Sequence, residues 1–145
     1  VDFRIGGERA FYDPRHDFVQ MPPPQAYFEW INWHQTALHE IGHASGHSTR
    51  LNRDLTGSFG SRKYAFEELI AEISAAYLCA SLNITPTVRH ADYIGSWLDV
   101  LREDNRAIVR AASAASKAAD HILDCQPETP EVGAAASADE EQASA

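Results

Sequence analysis

Residues 25–46, QAYFEWINWHQTALHEIGHASG, decide how the rest of the chain is read. The stretch follows Pro22-Pro23-Pro24, contains no proline itself, and places Gly46 where a helix C-terminal cap belongs. It therefore predicts a helix from Gln25 to Ser45, with a break allowed where Tyr27–Gln35 crowds bulky side chains. Inside it stands His39-Glu40-Ile41-Gly42-His43, the pattern HExxH. Two histidines four apart lie one turn above each other, so both imidazoles can reach one metal ion. With His39 set at 0° on a helical wheel, His43 falls near ~40°, while Trp30, Trp33, Ala37, Ile41 and Ala44 occupy about 120° to 200°. The histidine face is separate from the apolar face. His34 falls near the apolar arc and reads as an ordinary packed or rim histidine.

A catalytic zinc takes three protein ligands and keeps a fourth position for water. A histidine six residues beyond the second would supply the third ligand, but that position is Thr49, and the single methionine, Met21, lies upstream. His47 follows the cap glycine and is expected to point away. The better source is Glu67-Glu68-Leu69-Ile70-Ala71-Glu72, on a second helix spanning Tyr64 to Leu82 and ended by Asn83 and Pro86. With Glu68 at 0°, Glu72 lies near ~40° and Ala75 and Cys79 within ~20°, whereas Phe66, Leu69, Ile70, Ile73, Tyr77 and Ala80 take about 100° to 200°. Small residues beside Glu68 let another helix approach closely. Glu68 is expected as the third ligand and Glu72 as the carboxylate that hydrogen-bonds a ligand imidazole, with the reverse assignment open. Glu67 points roughly 100° off that stripe and is expected to be solvated. Cys79, about three turns from Glu68, is too far to share the ion.

Outward from these two helices the pattern changes. Upstream, Arg9–Tyr12 before Asp13-Pro14, and Asp17–Met21 before the prolines, read as strands, with a third around Phe3 and Ile5. Residues 46–62 form a polar loop with three glycines. Downstream, Tyr93, Ile94, Trp97, Leu98 and Leu101 mark a third helix. Ile108, Ala111, Ala115, Ala118 and Ile122 mark a fourth, capped by Asp104. The predicted fold class is α+β: a small antiparallel or mixed sheet followed by three to four packed helices.

The 145 residues suit one domain. Residues 126–145 hold five of the 21 acidic residues, no basic one and almost no large apolar side chain. They are expected to be a disordered acidic, alanine-rich tail, leaving 1–125 as the folding unit. The net charge of −9 then divides so that −4 stays on 1–125. A mildly acidic domain lacks the basic surface that phosphate backbones require, so nucleic-acid binding by this chain alone is not expected. No apolar run approaches membrane-spanning length. Two cysteines, Cys79 and Cys125, form no disulfide framework, and a cytoplasmic location is expected. The sequence does not begin with methionine, as expected of a fragment or a processed product.

Three blocks together carry a family likeness. HEIGHASGHSTRLNR, then YAFEELIAEISAAYLCASLNI, then HADYIGSWLDVLREDNRAIVRAASAASKAADHI resemble, in order and spacing, the zincin-like metallopeptidase domain of ArdC-like antirestriction proteins. Related domains occur in TraC-type conjugal primases and in phage or plasmid polyvalent proteins. The resemblance implies a zincin-like fold and a zinc site built from His39, His43 and a glutamate of EELIAE, with Glu40 catalytic. The resemblance also implies an N-terminal single-strand-DNA-binding domain, expected to be missing from this sequence, so nucleic-acid contact is expected only through such a domain.

In the metallopeptidase reading, Glu40 takes a proton from zinc-activated water and passes it to the leaving amine of a protein or peptide substrate. Tyr93 and His90, three apart in RHADYI, are candidates for the second oxyanion donor, although Tyr93 also fits the apolar stripe of the third helix. The strand Asp17–Met21 is expected to pair with an extended substrate as an edge. Arg50 and Arg53 read equally as substrate contacts or as a solvated loop. The alternative function is a non-catalytic zinc-containing interaction module that blocks host restriction by protein binding or DNA mimicry. The intact Glu40 favours the enzyme, since a structural site has no need of a general base.

Overall fold

The computed structural model describes residues 1–87 and 94–125. The expected tail, 126–145, lies outside the described residues. Three short strands come first: β1 (Asp2–Ile5), β2 (Phe11–Asp13) and β3 (Phe18–Met21). Four helices follow: α1 (Trp30–Ala44), α2 (Arg62–Ser81), α3 (Ile94–Glu103) and α4 (Ala107–Asp124). None of the described helices is long and apolar enough to cross a membrane.

The strand order is β1-β3-β2. β1 runs parallel to β3 with Asp2 opposite Phe18, and β2 runs antiparallel with Phe11 opposite Gln20. The sheet is therefore mixed, and β3 is its centre. This overturns the expectation that Asp17–Met21 is an edge: both sides of its ladder are taken. The sequence alternation in FVQM reports which face is buried, not which edge is free. Val19 and Met21 are fully buried and pack on Ala37 and Ala44 of α1, with Tyr12 and Trp33 at the margin.

α1 begins at Trp30 and not at Gln25, because the prolines direct the chain into a 3-10 turn (Pro24–Ala26) that exits extended at Tyr27. Trp33 Nε1 donates to the Pro22 carbonyl at 2.8 Å and fixes the helix to that turn. Trp30 was expected on the apolar face but is 66% exposed.

α2 is the central helix. Ser61 caps it by accepting from the Tyr64 N–H. One side packs Leu69 and Ile70 on Ala111 and Ala115 of α4. The other faces α1 at van der Waals distance, because a Cβ on Gly42 would lie 2.5 Å from Ser74 Oγ and 3.4 Å from the Ala71 backbone. Small residues on both helices let the backbones meet here, bringing the side chains of His39 and His43 down onto α2. Tyr77, expected in the apolar arc, is exposed, while Leu78 is buried in its place. At the far end, the N-cap of α4 is Arg106, with no side-chain capping bond; Asp104, the expected cap, stands two residues earlier and accepts from the Arg106 N–H.

Candidate metal centre

α1 supplies His39, Glu40 and His43; α2 supplies Glu67, Glu68 and Glu72. The packing of the two helices brings His39, His43 and Glu68 into one cluster able to hold a metal ion. His39 Nε2 and His43 Nε2 lie 3.2 Å apart. Glu68 Oε2 is 3.4 Å from His39 Nε2, and Glu68 Oε1 is 3.2 Å from His43 Nε2. Glu68 meets the two imidazoles through different oxygens, and one donor atom from each of the three residues lies within 4.8 Å of the others, close enough to share one ion. Two imidazoles and one carboxylate are also the donor types a divalent transition ion accepts.

The outer ring nitrogens are held as well. His39 Nδ1 lies 3.1 Å from Glu72 Oε2, and His43 Nδ1 lies 3.2 Å from Glu67 Oε1. An ionised carboxylate only accepts, so each Nδ1–H donates to its outer carboxylate, which leaves Nε2 as the ring atom available to an ion once its proton is displaced. Glu72 therefore stands against an imidazole, as the wheel suggested. Glu67 does not behave as expected. It is buried, and Arg53 holds it through Nη2 to Oε1 at 2.7 Å and Nε to Oε2 at 3.0 Å. The helical wheel placed Glu67 toward solvent because the partner that covers it comes from the 46–62 loop, which periodicity does not report.

The two arginines of that loop are partly buried and engaged within the protein, not solvated. Arg53 also donates to the Gly42 carbonyl and to Ser45 Oγ, and Arg50 donates to the Ala44 carbonyl. These carbonyls belong to the last turn of α1, where positive charge is favoured and acceptors lack intrahelical partners. Gly46 makes room: a Cβ there would come 2.8 Å from the Arg53 guanidinium. Arg50 further pairs with Asp17 and reaches the Tyr12 hydroxyl, tying the sheet to the end of α1. No composition signal marks either arginine as structural. His47 hydrogen-bonds Thr49 and stands outside the cluster, and His34 packs edge-on between Trp30 and Trp33.

The electrostatics follow from burial with close partners. Burial alone would push the His39 imidazolium toward neutrality, but Glu68 and Glu72 outweigh it and hold its pKa at about 10 in the metal-free protein. Burial likewise opposes charge on Glu68, yet the two imidazoles keep its carboxyl well below the usual range. Glu40 differs: burial dominates and raises its pKa, against the pull of His39 and His43. Its carboxylate accepts from the Tyr12 backbone N–H on the free edge of β2. His39, Glu40, His43 and Glu68 share one wall of a cavity of about 410 Å³ that opens between β2 and the start of α2. Tyr93 and His90, the expected oxyanion donors, lie outside the described residues.

Over residues 1–114 the sequence matches the family model of the zincin-like metallopeptidases. The uncharacterized protein y4eC of Sinorhizobium fredii is 48% identical over 122 residues, which is 83% of this chain and 40% of that protein. DNA primase TraC of Escherichia coli is 45% identical over 117 residues, 80% of this chain and 11% of the primase. Among solved structures, the Mn(II)-bound antirestriction protein ArdC from plasmid R388 matches with a TM-score of 0.77 at 42% identity, over 86% of this chain and 47% of that one. Its metal-free form gives 0.74 at 43% identity, again over 86% of this chain and over 46% of that one. The chain thus spans less than half the length of these relatives. With its small mixed sheet, four helices and HExxH helix packed on a glutamate-bearing partner, the chain belongs to the zincin-like metallopeptidase family.

Proposed function

We propose that this chain is the metal-dependent peptidase domain of an antirestriction-type protein carried by a mobile element, acting in the cytoplasm on a protein or peptide substrate. The likeness to ArdC of a plasmid and to TraC supports the setting. The observation that carries the chemistry is the convergence of His39, His43 and Glu68 within reach of one ion, in a cavity that the buried Glu40 also lines.

His39, His43 and Glu68 hold the ion, with Glu72 and Glu67 fixing the two imidazoles in the tautomer that offers Nε2. Zinc is the ion the sequence suggests, and the same donor set accepts Mn(II), the ion of the ArdC structure. Held there, a divalent cation would supply Lewis acidity to a substrate carbonyl and to a water molecule. Glu40, raised by burial, accepts a proton from that water and returns it to the departing amine nitrogen as the C–N bond breaks. An extended substrate has β2, not β3, as its available edge. Tyr93 and His90 remain the candidates for a second donor to the oxyanion.

The test is Glu40→Gln. Cleavage of a peptide library should fall at least about 100-fold while one metal per chain is retained. If antirestriction persists unchanged in that variant, the non-catalytic interaction module is the correct function.

A further inference from the structure

Above the histidines, the cavity has a second wall that the chemistry described so far does not use. It is made by Phe11 of β2, Leu55 and Phe59 of the 46–62 loop, and Tyr64 of α2. We propose that this wall is a specificity subsite that takes a large apolar or aromatic side chain of an extended peptide, next to the bond that is cut. The inference rests on the peptide reading above and adds the substrate class.

Phe59 is 84% exposed although it sits at the mouth of a cavity, with its ring 5.2 Å from that of Tyr64. A phenyl ring left in water is unfavourable, and covering it favours any apolar group that fits against it. The segment that presents Phe59 is held in place. Asp54 accepts from Thr56 and, at 2.7 Å, from Lys63 Nζ. Gly57 lies so tightly on α2 that a Cβ would come 2.5 Å from the Tyr64 backbone nitrogen. Gly60 then turns the chain at φ +81°, a conformation that side chains rarely adopt, and Ser61 caps the helix. The ring is therefore displayed by a built turn.

The carboxylates around this wall are engaged, Asp54 by Lys63, Glu67 by Arg53 and Glu68 by the two imidazoles, so the wall itself offers apolar contact and not an ion pair. Phe11, in the same wall, stands on the edge strand β2, the edge open to an extended chain. A peptide paired there alternates its side chains, so every second one faces the wall.

The experiment uses three peptide hydroxamates that differ only in one side chain, Phe, Ala or Asp, titrated into the zinc-loaded protein by calorimetry. The Phe probe should bind about tenfold or more tighter than the Ala probe, and the Asp probe weakest of the three. In Phe59→Ala the Phe-to-Ala ratio should fall to about threefold or less with the Ala probe unchanged, and Phe59→Leu should restore most of the preference. The exposure of Phe59 keeps both variants folded, which a melting curve checks. Equal binding of the Phe and Ala probes, no binding of any probe, or an unaltered ratio in Phe59→Ala overturns the subsite. Because the readout is binding, it stands even if no peptide is ever cleaved. Cleavage without the preference removes the subsite alone.

Discussion

Arg53 and Glu67, fourteen residues apart, form a two-point pair in which Nη2 meets Oε1 at 2.7 Å and Nε meets Oε2 at 3.0 Å. The same Oε1 receives His43 Nδ1 at 3.2 Å, so the loop after the HExxH helix reaches back to orient one of its own histidines. Both partners are nearly buried, which makes the pair costly to break from either end.

Arg53→Ala leaves the Glu67 carboxylate buried without its cation and removes two donors from the end of α1. Urea denaturation should show a loss of about 3 kcal/mol or more. Glu67→Gln keeps a hydrogen-bond acceptor and should cost much less stability. Its expected signature is metal affinity weaker by about tenfold, read by competition with a chromogenic chelator. Affinity equal to that of the parent protein would show that His43 needs no such support.

Metal content separates the assignments on α2. Glu68→Ala should abolish stoichiometric binding, measured by elemental analysis. Glu72→Ala should retain the ion with affinity lower by about 10- to 100-fold. The reverse pattern would exchange their roles.

Metal uptake should release protons. With the His39 pKa held at about 10, its imidazole is protonated at neutral pH in the metal-free chain. Binding the ion must displace that proton, so the apparent affinity rises with pH up to the region of that pKa and falls on acidification. Calorimetry in buffers of different ionisation enthalpy should report about one proton or more released per ion at pH 7. No buffer dependence would contradict the arrangement.

Gly42→Ala should separate the two helices. The added methyl meets Ser74 Oγ at 2.5 Å, and overpacking of this kind costs about 1–3 kcal/mol. The double change with Ser74→Ala should recover part of that loss, because the remaining neighbours lie at 3.4 Å. Thermal melts of the two variants, with and without metal, decide it.

Acid sensitivity should trace to Asp17. Its hydrogen bonds with Arg50, joined by one from Tyr12, hold its carboxyl well below the ordinary range against the opposing effect of desolvation. A depressed folded pKa stabilises the protein above the unfolded value near 3.9 and loses that contribution as pH falls through the folded value. The stability gap between the parent protein and Asp17→Asn should therefore be full at pH 6 and shrink below about pH 4. A gap that is constant across this range would assign the effect to packing.

What the sequence determined was everything with a helical or strand period: the order of elements, the separation of the histidine face from the apolar face, and the small-residue stripe beside Glu68. These are properties of a single element, fixed by where successive side chains point, so His39, His43, Glu68 and Glu72 could be named before any packing was known. The tertiary structure alone decided three other matters. β3 became the sheet centre and β2 the free edge, because strand order depends on which ladders close, not on alternation within FVQM. Trp30 stayed exposed because a periodic face does not tell which turns of a helix the rest of the protein covers. Glu67 and Arg53 became buried partners because a loop without periodicity folded back under the end of α1, and contacts between such distant segments leave no pattern in either one.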